Sequence, residues 1–408
     1  MLKNIKNCAF CGHILDTDFV DLGMSPLANS YVEKENHDKI EIFFPLHTFV
    51  CSNCFLVQAP QCEVPENIFS DYYYFSSYSQ SWLNHCKAYA DKMTEELMLG
   101  KDSLVIEVAS NDGYLLQYFK EKNIDILGIE PAKNIAKIAN EKGVATVCDF
   151  FNKEFAETLN KKADLIAANN VLAHVPDINS FAGGFKIILK ESGTLTVEFP
   201  SVMNLIKYNQ FDTIYHEHFS YLSFTVVKKI FKAHGLKIYD VEKLSTHGGS
   251  LRVYACHDEY GINIKETVDK LLKEEKDFGI TDLIMYDGFK NKVMATKRNI
   301  LKKLIELKDL NKKIIGYGAA AKGNTLLNYC GVKTDFIDYV VDASPHKQNK
   351  YLPGSHIPVY DSNMISATKP DYIVILPWNL KDEISGQLEY IRQWEGKFIT
   401  FIPEVCVF

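Results

Sequence analysis

In the stretch FDTIYHEHFSYLS the chain places Tyr215, His216, Glu217 and His218 side by side, a phenol, two imidazoles and a carboxylate in one short segment. Such a group can hold a metal, since two histidines at i and i+2 are half of a ligand set. It can also move a proton, or be a set of polar residues that merely adjoin. Imidazole suits proton transfer because its unperturbed pKa lies near neutrality. His174, in AHVPD, adds another imidazole where a strand is expected to end. A different chemistry is written near the amino terminus. Cys8 and Cys11 in CAFCG, with Cys51 and Cys54 in CSNCF, form two CxxC pairs, and each pair can give two thiolates from one tight turn. That pattern fits a four-thiolate zinc site. Four protein ligands leave the metal no open position, so its expected work is to fold a small region poor in core.

The elements that must position these residues follow from periodicity. SLVIEVASNDGYLLQYFKEKN runs from an apolar strand through a polar turn into a helix, and IDILGIEPAKNIAKIANEKG repeats the pattern. ATVCDFF and ADLIAANNVLAHVPD continue it, so a parallel, doubly wound sheet is expected. GLKIYDVEKL and GSLRVYACH, separated by STHG, predict an antiparallel pair at the end of that sheet. A charged helical stretch, FKNKVMATKRNILKKLIELKDLN, leads to KKIIGYGAAAKGNTLLNYCG and a second set of strands and helices. The expected fold is α/β in three parts: a zinc-binding domain over 1–74, a Rossmann-like domain over 75–285 and a second Rossmann-like domain over 286–408.

In a doubly wound sheet the ligand lies beyond the carboxyl ends of the strands. The first such turn, EVASNDG, offers Glu107 and then Gly113, where a backbone can approach a ligand closely. It lacks the GxGxxG spacing that seats a pyrophosphate on a helix amino terminus, and Asp112 puts negative charge where that phosphate would sit. Glu130 in GIEPA is spaced to accept hydrogen bonds from ribose hydroxyls. An adenosyl ligand with a cationic sulfonium and an amino-acid tail fits this acidic rim, which favours S-adenosylmethionine. Asp149 is placed to meet an adenine amino group, while Asn169 and Asn170 end the next strand. Carboxylates and amides at such positions also serve as helix caps. If the acceptor atom is carbon, a proton must leave a C–H beside a carbonyl and the enolate must be stabilised. Tyr215, His216, Glu217, His218 and His174 supply the residue types for that task.

Composition excludes several classes. The formal net charge of -7, without a dense Lys/Arg block, gives no footprint for a nucleic-acid backbone. No apolar run of about 18 residues or signal-peptide pattern is found, so no membrane partner and a cytoplasmic location are expected. Gly316, Gly318 and Gly323 in GYGAAAKG are spaced GxGxxxxG, which disfavours a nicotinamide-dependent oxidoreductase.

Along its whole length the chain resembles the sugar C-methyltransferases that act on nucleotide-linked 4-keto-6-deoxyhexoses. The resemblance rests on the CxxC pairs, YYYFSSYSQSW, EVASNDG, GIEPA, NNVLAHVPD, YHEHFSYLS, THGGSLRVY and GYGAAAKGNTLLNY. It implies a zinc-binding amino-terminal domain, a class I methyltransferase domain and a carboxy-terminal domain that serves the nucleotide-sugar pocket. It further implies that His218 is the base, that Tyr215 and Glu217 line the site and help hold the base and the enolate, and that His174 assists with the keto oxygen or the proton. The methyl donor would be held by Glu107, Ala109, Ser110, Asn111, Asp112, Gly113, Glu130, Pro131, Asp149, Asn169 and Asn170. Tyr74, Ser76, Ser77, His247 and Arg252 are the implied substrate contacts. An O-methyltransferase acting on a sugar would share fold and cofactor and need only part of the YHEH cluster.

Overall fold

The computed structural model describes residues 7–65, 68, 77 and 80–408, and three sheets organise them. In the first, β1 (Thr17–Ser25), β2 (Phe44–Val50) and β3 (Val57–Gln58) pair antiparallel. Along β2, Leu46, Thr48 and Val50 point inward at the period of two that a one-sided sheet requires.

The central sheet contains β4 (Leu104–Val108), β5 (Asp125–Ile129), β6 (Thr146–Val147), β7 (Ala163–Asn169) and β8 (Leu189–Pro200), all parallel. The next strand, β9 (Ser220–Tyr221), leaves this sheet and pairs antiparallel with β3, becoming the fourth strand of the amino-terminal sheet. β10 (Leu236–Leu244) and β11 (Ser250–His257) return to the central sheet as the expected antiparallel pair, giving the order β10-β11-β8-β7-β4-β5-β6. Near-continuous burial of β4 and β7 follows from helices covering both faces. Strand order reverses between β4 and β7, so the crevice at their carboxyl ends opens beside Glu107 and Asn169.

Helices α1 (Gln80–Glu96), α2 (Lys133–Glu141), α3 (Ile178–Ile188), α4 (Phe224–Ala233) and α5 (Glu266–Phe278) accompany this sheet. The charged stretch that follows is α6 (Leu283–Asp309); its charges face solvent, while Tyr286, Phe289, Val293, Ile300 and Leu304 bury a stripe. Phe19 of β1 stacks on Phe289, ring centroids 4.7 Å apart. The third sheet, order β14-β13-β12-β15-β16-β17, is built from β12 (Ile314–Tyr317), β13 (Val340–Val341), β14 (Val359–Tyr360), β15 (Tyr372–Ile375), β16 (Lys397–Thr400) and β17 (Cys406–Val407). Only the β16–β17 pair of this sheet is antiparallel. Helix α7 (Ala321–Cys330) follows β12. Among the described residues no helix is long and apolar enough to cross a membrane.

The amino-terminal region shares cores with both of its neighbours. Cys8, Cys51 and Cys54 pack in one cluster with Phe181 and Phe185 of α3, whereas Phe19, Leu46 and Val57 pack with Tyr286, Leu326 and Val340. The segment between β8 and α4 is held at its far end by a buried acid. Glu275 of α5 accepts from the backbone amides of Phe224 and Thr225, both at 2.7 Å, and so caps the first turn of α4. Replacing Glu275 by Ala strands those two buried donors, and the chain should lose about 2–4 kcal/mol of stability. Urea unfolding with unchanged midpoint would show that the amides find other acceptors.

Candidate active site

The two cysteine pairs converge. Cys8 and Cys54 lie with Sγ atoms 3.5 Å apart, as do Cys11 and Cys51, and the four sulfurs fall within 4.8 Å of one another. A tetrahedral zinc with Zn–S bonds of about 2.3 Å sets its sulfurs ~3.8 Å apart, so the donor set fits the metal in number, type and spacing. A thiol donated by Cys54 draws Cys8 down toward the thiolate that a metal needs. Gln58 in β3 ties this cluster to the rest: its Nε2 donates to Cys8 Sγ at 3.3 Å and its Oε1 accepts from the Ala9 amide at 2.8 Å. Asn179 of α3 donates to the carbonyls of Ala9 and Phe10 at 3.0 and 2.9 Å.

Gln58 also pairs with Ser220, two residues beyond His218. The loop is therefore pinned where it enters β9, and its side chains separate by environment. His216 turns toward the amino-terminal sheet, with Nε2 against the Pro45 carbonyl at 3.3 Å and its ring against Phe44. Glu217 is buried, and Oε1 accepts from Asn29 at 3.0 Å; burial raises its pKa. Tyr215, His218 and His174 are half-buried and cluster, with the Tyr215 and His174 rings 4.0 and 4.6 Å from that of His218.

Backbone carbonyls settle the tautomers. His218 Nδ1 lies 2.9 Å from the Thr213 carbonyl, and His174 Nδ1 lies 2.8 Å from the Glu217 carbonyl. A carbonyl only accepts, so each Nδ1 carries the proton and each Nε2 presents a lone pair. Burial holds His218 well below the ordinary imidazole range, assisted by His174, His247 and Lys322, and burial holds His174 at about 4. Glu217 thus orients His174 through its main-chain oxygen, while its carboxylate anchors the loop to Asn29.

Buried polar atoms without partners gather at the carboxyl ends of β4 and β7. Both carboxylate oxygens of Glu107, both side-chain atoms of Asn169, Ser110 Oγ, Asp112 Oδ1 and Asn170 Oδ1 are unsatisfied among the described residues. Native proteins leave few such atoms, so their concentration marks a place where a polar ligand completes the hydrogen bonding. Burial pushes Glu107 well above the usual carboxylate range, and a cationic or hydroxyl-bearing ligand would reverse that cost. The turn itself is tight: Ala109 and Asn111 have φ 59 and 48, and a Cβ on Gly113 (φ 81) would meet Val144 Cγ2 at 2.7 Å. Glu130 accepts from the amides of Asn111 and Ala132, each at 2.9 Å, and burial lifts it to about 7. Pro131 is half-buried, and its carbonyl faces Cys148 Sγ. Asp149 is exposed and accepts from the Phe150 amide. The residues present at this end fit an adenosyl, amino-acid-bearing cofactor.

The implied substrate contacts divide. Tyr74 and Ser76 lie outside the described residues, and Ser77 donates to Asp112 Oδ2. His247, at φ 52, accepts from Asn170 Nδ2 at 3.3 Å and so joins the donor pocket to the THGG turn. Arg252 is 4% exposed and committed internally, its guanidinium donating to Glu198 at 2.7 Å and Glu242 at 3.2 Å with the Tyr89 ring below. Sequence reasoning missed Gln58, Thr213, Asn29 and Lys322, whose parts depend on contacts distant along the chain.

The glycine-rich turn after β12 is closed from within. Asp342 Oδ2 accepts from the Ala319 amide at 2.7 Å, and the Ala319 carbonyl accepts from Tyr31 and from Lys347, the latter at 2.8 Å. A carboxylate and a phenol from two regions of the chain therefore stand where a dinucleotide's phosphates would need room.

Comparison with known proteins finds three family matches in succession along the chain. Residues 8–69 match a family described as "Putative zinc binding domain", 82–241 one described as "Methyltransferase domain", and 245–403 one described as "C-methyltransferase C-terminal domain". The chain is 34% identical to C-methyltransferase NovU of Streptomyces niveus over 410 residues, covering 99% of this chain and 97% of that protein. Among solved structures, an S-adenosylmethionine-dependent methyltransferase of Clostridium acetobutylicum is 14% identical and covers 43% of this chain and 92% of its own, with TM-score 0.36. Magnesium protoporphyrin IX methyltransferase of Synechocystis PCC 6803 with bound SAH is also 14% identical, with coverage of 43% and 83% and TM-score 0.36.

Metal analysis should find about one zinc per chain. Cys51→Ser should remove it and lower the melting temperature; a variant that retained full zinc would contradict the ligand set.

Proposed function

The chain belongs to the zinc-containing, S-adenosylmethionine-dependent C-methyltransferases, and from that premise we propose that it methylates a carbon beside the keto group of a nucleotide-linked 4-keto-6-deoxyhexose. The observation that carries the reading is the His218 ring, neutral by burial and fixed by Thr213 with its Nε2 lone pair available. A neutral imidazole can take the proton of a C–H that a neighbouring carbonyl acidifies. The electron pair of that bond then moves into the ring carbons, and the carbonyl pair moves onto oxygen as an enolate. S-adenosylmethionine, when bound, supplies an electrophilic methyl group. Glu107, Ser110, Asp112, Asn169 and Asn170 would hold it, and Glu130, held by two backbone amides, would face its ribose.

Tyr215 packs against the base and restrains its ring. His174, with Nδ1 committed to the Glu217 carbonyl, presents an acceptor and not a donor. Of the two parts that the resemblance implied for it, relay of the proton suits this tautomer better than support of the keto oxygen. A zinc-thiolate cluster and otherwise unpaired thiols suit the reducing cytoplasm, where we place the enzyme.

The test is deuterium entry from heavy water into a dTDP-4-keto-6-deoxy sugar, followed by NMR with and without S-adenosylmethionine. His218→Asn should bind the cofactor as the parent does while exchange and turnover fall by about 10²-fold or more. Because the folded pKa lies below 6.5, the ring stays in its basic form as pH falls, so parental exchange should hold its plateau from pH 8 down through 6.5. Normal methylation by the variant, or an O-linked methyl in the product, would reject the assignment. For Glu107→Gln, calorimetry should read S-adenosylmethionine affinity down by about tenfold; unchanged affinity would remove Glu107 from the pocket.

A further inference from the structure

Lys322 stands at the start of α7, in the GYGAAAKG stretch whose dinucleotide reading the fold disfavours. Its helix is docked on the base loop: one turn further on, Thr325 Oγ1 donates to the Ile214 carbonyl at 3.1 Å. The ammonium is half-buried, donates to Asn379 Oδ1 at 2.7 Å and lies 4.8 Å over the Trp378 ring. Among the described residues it forms no ion pair within 4.0 Å. Trp378 in turn donates to Asp212 Oδ2 at 2.7 Å, one residue before the Thr213 that fixes the base, and Asp212 Oδ1 is buried without a partner.

A further segment reaches the same point. Gly248 of the THGG turn lies so close to Trp378 that a Cβ there would meet Cη2 at 2.4 Å. The base loop, the THGG turn and the carboxy-terminal domain therefore meet around one ammonium. Its charge reaches both His218 and His247, lowering each further after burial has done so. Burial also lowers Lys322, which Asp212 opposes.

An enolate oxygen calls for a positive partner that the two histidines do not supply. Both imidazoles beside the reacting carbon present lone pairs, so a neutral His174 or His218 cannot donate to an oxygen that gains negative charge. Among the described residues the half-buried ammonium touches an amide and an aromatic face, with the Asp212 carboxylate acting on it from beyond hydrogen-bond reach, so it has capacity for a directly paired anion. We propose that Lys322 is the catalytic cation that faces the enolate oxygen formed when His218 removes the proton. This rests on the reading of a keto-sugar acceptor. In the balanced step the C–H proton passes to His218 Nε2, the C–H pair forms the new C=C bond, the C=O π pair becomes the oxyanion beside the ammonium, and nothing is oxidised or reduced. The substrate's phosphates are the other anion that this cation could meet.

A cation near base and enolate weakens the base and stabilises the enolate together, which gives its removal a double signature. In Lys322→Met, deuterium exchange into the dTDP-4-keto-6-deoxy sugar and kcat should both fall by about 10²-fold. The acid limb of the exchange profile should meanwhile move up in pH, since the Lys322 charge that lowers His218 would be gone while His174, His247 and the phenols of Tyr215 and Tyr221 stayed beside it. KM for the sugar nucleotide should change little, and Lys322→Arg should recover part of the rate. Zinc content and S-adenosylmethionine binding, measured on each variant, report folding. A raised KM with unchanged kcat would overturn the proposal and assign Lys322 to the phosphates; parental exchange in Lys322→Met would overturn it outright. Parental protein that exchanged no deuterium and methylated no keto sugar would instead sink the keto-sugar reading, and the lysine's part with it.

Discussion

Two residue pairs between β3 and β9, Val57 with Tyr221 and Gln58 with Ser220, hold this molecule's functional geometry together. Without them the chain between β8 and α4 would be a long excursion from the central sheet with nothing to fix its path. With them, the YHEH loop becomes the entrance to a strand, and the Ala59 amide extends the ladder by donating to the Phe219 carbonyl at 3.0 Å. The Phe219 amide in turn donates to the Ala173 carbonyl, at 2.8 Å, which sets the His174 turn beside His218. Because the side chain of Gln58 contacts Cys8, metal binding and loop position are mechanically continuous. The zinc region thus supports the active site from behind instead of entering its chemistry.

Electrostatics adds a second layer of constraint. Desolvation keeps charged forms away from this interior: it lowers the imidazoles at 174, 218 and 247 and raises the carboxyls at 107, 130, 212 and 217. Fixed main-chain carbonyls choose the tautomers without adding charge. The same burial lowers the ammonium brought in by α7, which Asp212 opposes, and a charge acts strongly in such surroundings.

Much of this arrangement was legible in the chain. The paired CxxC motifs, the repeated strand-turn-helix segments and the antiparallel β10–β11 pair all carry local signals, and each signal arises from turn geometry or side-chain period. The tight turn after β4 was legible for the same reason, since Glu107 through Gly113 are contiguous. What escaped was long-range. Nothing in SerTyr at 220–221 says that two residues will quit one sheet for another, and nothing in Gln58 announces contact with a cysteine fifty residues earlier in the fold's first knuckle. Phe55 adopts φ 69 where Gly12 stands in the first knuckle, so even the turn signal is incomplete there. The YHEH cluster looked like one group of four, yet its members face different neighbours, because only the folded context decides which side chain a pinned backbone turns outward.

The shared sheet also bears on how such proteins can diverge. A chimera that exchanged residues 8–69 between relatives would import three strands whose fourth neighbour still came from the recipient, so a mismatch at Ser220–Tyr221 would be felt at His218. The inherited module is therefore discontinuous, comprising the metal knuckles, β1 to β3 and the 214–223 stretch as one unit. Recombination within that unit would be penalised even where each piece folds well, whereas breakpoints beyond α4 leave it whole. Residues outside that unit can then vary while the YHEH segment and the strands that hold it travel together.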